Sequence, residues 1–381
     1  MMTITSLRFI AIAAAGVLCG AAAVAAETRL PAEQKIAAAI RVVEANPTKV
    51  DGYNQLALAY ARRARETSDT VFYTKADEAI ARALEIAPGN FEAMKLRVWV
   101  LLGKHEFAKA LEAATALNRQ MPDDLLVYGF LTDANVELGR YKEAEEACQW
   151  MLDLRPGNIP AFTRAAYLRE IFGDIDGALE LMSAAYQRTP PTEIEDRAWI
   201  LTQVGHLEWT GGRIDLAERA LAEALTLVPD YHYALATLAK VRASQKKALD
   251  AVDLLERRFE AAPHAENLYA LAEALRQAGR TDQAAMAFAD FEVRALRESA
   301  TWDNANRELI FYYADRAKRP ADALRIAELE FSRRQDVHTL DAYAWALHVN
   351  GRDGDARVQM DRALAVGIKD PELLARAAQI R

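Results

Sequence analysis

The chain has 381 residues, of which 52% are hydrophobic and 27% charged, and its formal net charge is −8. An acidic balance with no block of lysines or arginines argues against nucleic acid and anionic membranes as main partners. Length alone suggests two or three globular domains, but a repeat that runs through the chain overrides that expectation.

Residues 1–26 read as a secretory signal peptide. Arg8 gives a weak positive start, Phe9 to Val24 is an apolar run, and Ala23-Val24-Ala25 or Val24-Ala25-Ala26 offers a cleavage site. The mature protein is then expected to begin at Ala26 or Glu27, exported to a periplasm or secreted, with no membrane insertion after cleavage. The apolar core is shorter than the ~20 residues of a membrane span. An uncleaved leader acting as an anchor is the competing reading. Leu18 before Cys19 departs from the small residue that a lipoprotein signal requires. Losing a leader that holds Arg8 and no acid takes the charge from −8 to −9 and leaves Cys148 as the one cysteine. No intrachain disulfide can form, and a buried, inert thiol is expected.

Residues 27–47 contain one amphipathic helix, Pro31 to Pro47, that matches half of a repeat and is expected to cap the array. Residues 48–368 are expected to hold about nine repeats. The first, Thr48 to Asn90, places Tyr53, Leu56 and Tyr60 on one helix and Ala76, Ile80, Ala83 and Leu84 on the next. It carries seven extra residues around Arg65 to Val71, read as ornament in the loop between the helices. Pro88, Pro122, Pro156 and Pro190 then recur every 34 residues, Pro229 follows after 39, and Pro263 after 34. Later units lose the terminal proline but keep Leu271, Gly279 and Ala284, then Ile310, Phe311, Ala323 and Ala327, then Tyr343, Gly351, Ala356 and Met360. Residues 369–381 supply a last helix, PELLARAAQI, as the C-terminal cap.

One unit, Leu125 to Asn158, shows the pattern most clearly. Tyr128, Leu131, Asn135 and Leu138 recur at helical spacing on the inward face of a first helix. Gly139 permits the left-handed residue that ends it. Tyr141, Ala144, Cys148, Met151 and Leu152 mark the inward face of a second helix, which Pro156 stops. Ala144 and Cys148 are small enough for the two backbones to approach closely. Such a pair leaves a hydrophobic flank bare, so it must stack on neighbours.

This unit resembles the tetratricopeptide repeat (TPR). Tyr128, Leu131 and Thr132 stand at that family's W, L and G places, and Gly139, Tyr141, Ala144, Met151 and Pro156 at its later G, Y, A, A and P places. The resemblance implies an all-α fold, a TPR-type α-solenoid: a right-handed superhelix of antiparallel helix pairs whose first helices line a concave groove.

Catalytic chemistry has no constellation to rest on. The six histidines are scattered, and no close histidine pair, phosphate-binding glycine loop or GxSxG elbow occurs. Neither a cofactor nor a metal is expected, and the chain reads as a non-enzyme. The resemblance places repeat positions 2, 5, 9 and 12 in the groove, with position 9 held by Trp99, Tyr167, His206, Tyr312 and Trp345. Nearby inner positions add Trp199, Trp209, Tyr233, Tyr269 and His348. Either these rings pack between helices or they form an aromatic track for a ligand. On the second reading Trp99 and Trp345 are partly exposed on the concave side, and Trp150, on a second helix, lies elsewhere. TPR domains that clamp a carboxylate use lysine, asparagine and arginine at inner positions. Lys95 and Arg164 stand at such places here, but no asparagine stands at position 9 between them.

The sequence therefore reads as a non-catalytic scaffold or adaptor of a bacterial envelope, with a protein or peptide partner in the concave groove. The alternatives are a module for an extended peptide or glycan, or a regulatory subunit of a membrane-associated complex held by its leader. Oligomeric state is not encoded in these patterns.

Overall fold

The small side chain that lets paired helices touch recurs once in every second helix. Ala76, Ala110, Ala144, Ala178, Ala217, Ala251, Ala284, Ala323 and Ala356 stand in the same place, and none is more than 3% exposed. Around them a computed structural model describes residues 31–301 and 304–380. The expected leader and its cleavage site lie outside the described residues.

Helix α1 (Pro31–Ala45) precedes nine helix pairs. The first four pairs are α2 (Val50–Thr67) with α3 (Val71–Ile86), α4 (Phe91–Gly103) with α5 (Phe107–Gln120), α6 (Leu125–Glu137) with α7 (Tyr141–Leu154), and α8 (Ile159–Ile171) with α9 (Ile175–Arg188). Then come α10 (Ile194–Thr210) with α11 (Ile214–Leu227), α12 (His232–Ser244) with α13 (Ala248–Ala261), and α14 (Ala265–Gln277) with α15 (Thr281–Glu298). The last two are α16 (Asn306–Phe311) with α17 (Pro320–Phe331), and α18 (Val337–Val349) with α19 (Asp353–Leu364), before α20 (Pro371–Ile380) closes the array. The protein is an all-α solenoid of packed helix pairs, and no strand occurs among the described residues. Cys148 is buried, and burial pushes its thiol up to about 11, so it is inert at neutral pH.

The alanine column makes a direct prediction. Ala144→Phe forces a ring into the contact between α6 and α7, where no space is open, and should cost ~1–3 kcal/mol. A lower urea midpoint with unchanged far-ultraviolet helicity is the expected result. An unchanged midpoint would contradict close packing at this position.

Each pair turns on one residue with positive φ: Ser68, His105, Gly139, Gly173, Gly212, Lys246, Gly279, Lys318 and Gly351. Their spacing departs from the 34-residue period where the chain carries extra residues, and those extra residues are not ornament. Arg65, in the first insertion, lengthens α2 and pairs with Glu195 and, at 2.5 Å, with Asp196, which follow the second insertion after Pro190. Arg62 reaches Glu193 at 3.4 Å and Lys35 reaches it at 3.6 Å. Two insertions separated by some 130 residues therefore meet, because the stacked pairs wind far enough round to bring them together.

The winding closes at two further places. The Gln335 amide donates to the Glu137 carbonyl at 3.0 Å, and the Val337 amide to the Tyr141 hydroxyl at 2.9 Å. The Gly173 turn packs directly against the Gly367 backbone. A groove that is open in a loosely wound solenoid is here an internal lumen.

The candidate site: an internal lumen lined by the first helices

Two chambers, of about 930 and 710 Å³, share Tyr167, Tyr233 and Glu266 at the waist between them. First helices supply most of the wall. At repeat position 9 the pairs from α6 to α15 turn Asp133, Tyr167, His206, Lys240 and Glu273 into the lumen. Tyr167 borders both chambers and keeps 37% of its surface open.

The first chamber is bordered by Arg65, Lys104, Asp133, Glu137, Arg164, Arg307 and Arg334, with Glu298, Thr301 and Asn304 from the end of α15 and the segment before α16. Most of its cations are engaged. Arg164 makes a two-pronged bond to Asp133, Nε to Oδ1 at 2.8 Å and Nη2 to Oδ2 at 2.6 Å, and also donates to the Gly129 carbonyl. Lys104 holds Asp77 at 2.6 Å, and Arg334 holds Glu330 at 2.6 Å. Lys95, the other cation considered for a carboxylate clamp, is 8% exposed and bound to Asp124 and Glu92, each at 2.9 Å. Neither clamp candidate is free to take a ligand's carboxylate.

Glu137 sits where the winding closes. Burial, reinforced by the charge of Asp336 and opposed by Arg334 and Arg307, raises its carboxyl to about 7. The native state therefore holds this proton at pH values where the unfolded chain, at ~4.3, has released it. Its contribution to stability is present in full below that unfolded value and is lost as pH rises to about 7. His232, which burial pushes down to about 4, acts in the opposite sense: its contribution is lost as pH falls below ~6.5. The two windows overlap, so the informative comparison is between wild type and Glu137→Gln. The variant should lose on the order of 2 kcal/mol less than wild type between pH 5 and pH 7.5 in urea titrations. Parallel pH profiles would show that Glu137 titrates normally.

The second chamber holds His206, whose Nε2 lies 2.7 Å from Glu170, with Lys240, Tyr269, Glu273, Glu308, Phe311, Arg316 and Arg376. Arg316 is bound to Glu273 and Arg376 to the buried Asp341. Of the ten ring residues singled out by sequence, Tyr167, His206, Tyr233 and Tyr269 therefore line the lumen. Trp99 packs between the first two pairs, and Trp199 between α9, α10 and α11. Trp209 lies against that same core under Lys240. His348 bonds Asp353 at 2.7 Å and lies tilted against Trp345, 5.3 Å between ring centroids.

Trp345 corrects the expectation of an exposed ring. It is 9% exposed, and its indole N–H donates to Asp315 at 3.0 Å. Tyr312 borders neither chamber: the lumen face of α16 falls on Glu308 and Phe311, and Tyr312 opens the π-helical turn Tyr312–Arg316 that follows. Its ring packs on Phe288 and Phe291 of α15. Trp150 is 55% exposed, stacks on Tyr128, and borders neither chamber. The charged wall of Asp133, Lys240, Glu266, Glu273, Arg307 and Glu308 went unread in the sequence. Reading position 9 without regard to residue type finds Asp133, Lys240 and Glu273.

No family model and no curated protein matches the chain. Solved structures do. Human IFIT1, as a dimer with PPP-AAAA, aligns over 89% of this chain and 96% of its own at 13% identity, with a TM-score of 0.53. PilW, a widely conserved type IV pilus biogenesis factor, aligns over 54% of this chain and 93% of its own at 14% identity and a TM-score of 0.46. A thermophilic TPR protein of Thermus thermophilus covers 45% of this chain and 92% of its own at 22% identity, with a TM-score of 0.39. The nine helix pairs, with the likeness to IFIT1, give the fold: a TPR-type α-solenoid. No described helix is long and apolar enough to cross a membrane.

Proposed function

We propose that the chain is a non-catalytic scaffold that holds an extended polypeptide segment of a partner protein inside its closed lumen. The observation that carries this reading is the pair of chambers joined at Tyr167, Tyr233 and Glu266. Each reaches the upper part of the ~300–1,000 Å³ typical of a small-molecule pocket, and they run on into one another. The wall mixes apolar surface with carboxylates, guanidiniums and tyrosine hydroxyls, a combination that suits a polypeptide with its polar backbone and varied side chains. A polyanion is disfavoured, because Arg65, Arg164, Arg316, Arg334 and Arg376 are already matched by carboxylates. The leader expected at residues 1–26 supports a place in a bacterial cell envelope.

A photo-crosslinking residue installed at position 167 samples the lumen, and one at position 150 samples the outer face. In intact cells the first should yield a discrete polypeptide adduct that the second does not. Adducts from position 150 alone, or identical adducts from both, would remove the lumen as the binding surface.

A further inference from the structure

The second chamber contains a carboxylate that makes no ion pair among the described residues. Glu308, on α16, faces the chamber, and among the described residues no lysine, arginine or histidine lies within ion-pair distance of it. The neighbouring guanidiniums are committed: Arg258 reaches Glu266 at 3.4 Å, Arg316 holds Glu273 at 2.6 Å and Arg307 lies 3.8 Å from Asp336. Burial, and then the facing charge of Glu266, raise the Glu308 carboxyl above its ordinary value, and the more distant Arg307 and Arg334 offset this only in part. Keeping an unmatched carboxylate in such a place destabilises the empty protein. An incoming positive charge would remove that penalty.

The surroundings select the kind of cation. Among the described residues no three histidine, cysteine, aspartate or glutamate side chains converge as metal ligands, so an inorganic ion has no shell of protein donors. Aromatic rings stand near instead. Tyr269 packs edgewise among Phe288 and Phe291, and Tyr233 lies 3.9 Å, centroid to centroid, from the His232 ring. Both tyrosines border the chamber, as does Tyr167. Tyrosine faces beside a carboxylate favour an organic cation, which gains from both the charge and the rings.

We propose that the second chamber takes a lysine or arginine side chain of the threaded segment, held by Glu308 and Glu266 among the rings of Tyr233 and Tyr269. This rests on the lumen being a polypeptide site, and it assigns that polypeptide a basic residue at the point where it passes the waist.

Three fluorescein-labelled Gly/Ser decapeptides, differing in one central Lys, Gln or Glu, test the assignment by fluorescence anisotropy. At ~0.15 M salt, charge effects beyond ~8 Å are largely screened. Wild type should bind the Lys peptide about tenfold more tightly than the Glu peptide, the equivalent of ~1.4 kcal/mol. Glu308→Gln should reduce that preference to less than twofold and leave the Gln peptide within twofold of wild type. Glu143→Gln, an exposed change on α7 that removes the same charge, should leave the preference intact. Glu308→Gln removes a carboxylate held at a cost, so its melting temperature should not fall, which guards against misfolding. Equal binding of the three peptides, or a preference that survives Glu308→Gln, overturns the assignment and leaves the lumen reading standing. Binding of none of them to wild type overturns both.

Discussion

Trp345→Ala is expected to destabilise the C-terminal part of the array by ~3–5 kcal/mol, the cost of emptying a buried tryptophan site. The indole is 9% exposed and belongs to the largest apolar cluster, which extends from the α6–α7 pair to α20. Its N–H donates to Asp315 at 3.0 Å, so truncation removes a charge-assisted bond along with the packing. Asp315 borders the second chamber and can take water in place of the lost donor, which keeps the penalty near the cavity value. Each helix pair contacts mainly its neighbours and α18 also meets α6 and α7, so the loss should appear as early melting of α18 to α20 with α2 to α5 protected. Hydrogen exchange followed by peptide mapping reads this directly. Trp345→Phe should recover most of the stability, because it restores ring volume without the N–H. If Trp345→Ala melts like wild type and loses partner binding instead, the residue is a contact and not core.

That result also marks what the sequence could reveal. The 34-residue period, the alanine at one place in every second helix and the turn residues are local properties. Each depends on the chemistry of one helix pair, so the repeat was legible from Pro88 onward. Which side chains meet a ligand is not local. An aromatic at position 9 faces the lumen in α8, where Tyr167 stands, but in α18 Trp345 is buried, and in α4 Trp99 is partly buried against apolar clusters and borders neither chamber. In α16 the lumen face falls on Glu308 and Phe311, one residue short of Tyr312. Closure was not legible at all. Val337 meets Tyr141 across 196 residues, and that meeting depends on small rotations accumulated over several pairs. The two insertions, around Arg65 and after Pro190, were the available signal. They interrupt the period, and they meet where the winding brings distant pairs face to face.

Closure can be separated from ordinary turn strain with two glycines. Gly173 and Gly279 occupy equivalent turns, at φ +79° and +75°. An alanine at either one carries the left-handed penalty of ~1–2 kcal/mol. Around Gly279 an added Cβ meets nothing within 4 Å, so Gly279→Ala should show that penalty alone. At Gly173 the Cβ would stand 2.3 Å from the Gly367 carbonyl oxygen. The obstacle there is backbone, which cannot rotate away as a side chain would. Gly367 is itself held at φ +104°, with room for no Cβ beside the Phe172 carbonyl. The turn between α8 and α9 and the segment between α19 and α20 must then part, or absorb a further ~1–3 kcal/mol of overpacking. The expected result for Gly173→Ala is a larger radius of gyration in small-angle scattering and faster exchange around residues 365–370, with helicity unchanged. Gly279→Ala should match wild type in both measurements while melting slightly earlier. If the two variants behave alike, the contact between Gly173 and Gly367 does not hold the lumen closed. If only Gly173→Ala expands, admission of the Lys decapeptide should quicken in that variant, because the wall that encloses the second chamber has been loosened at one of its seams.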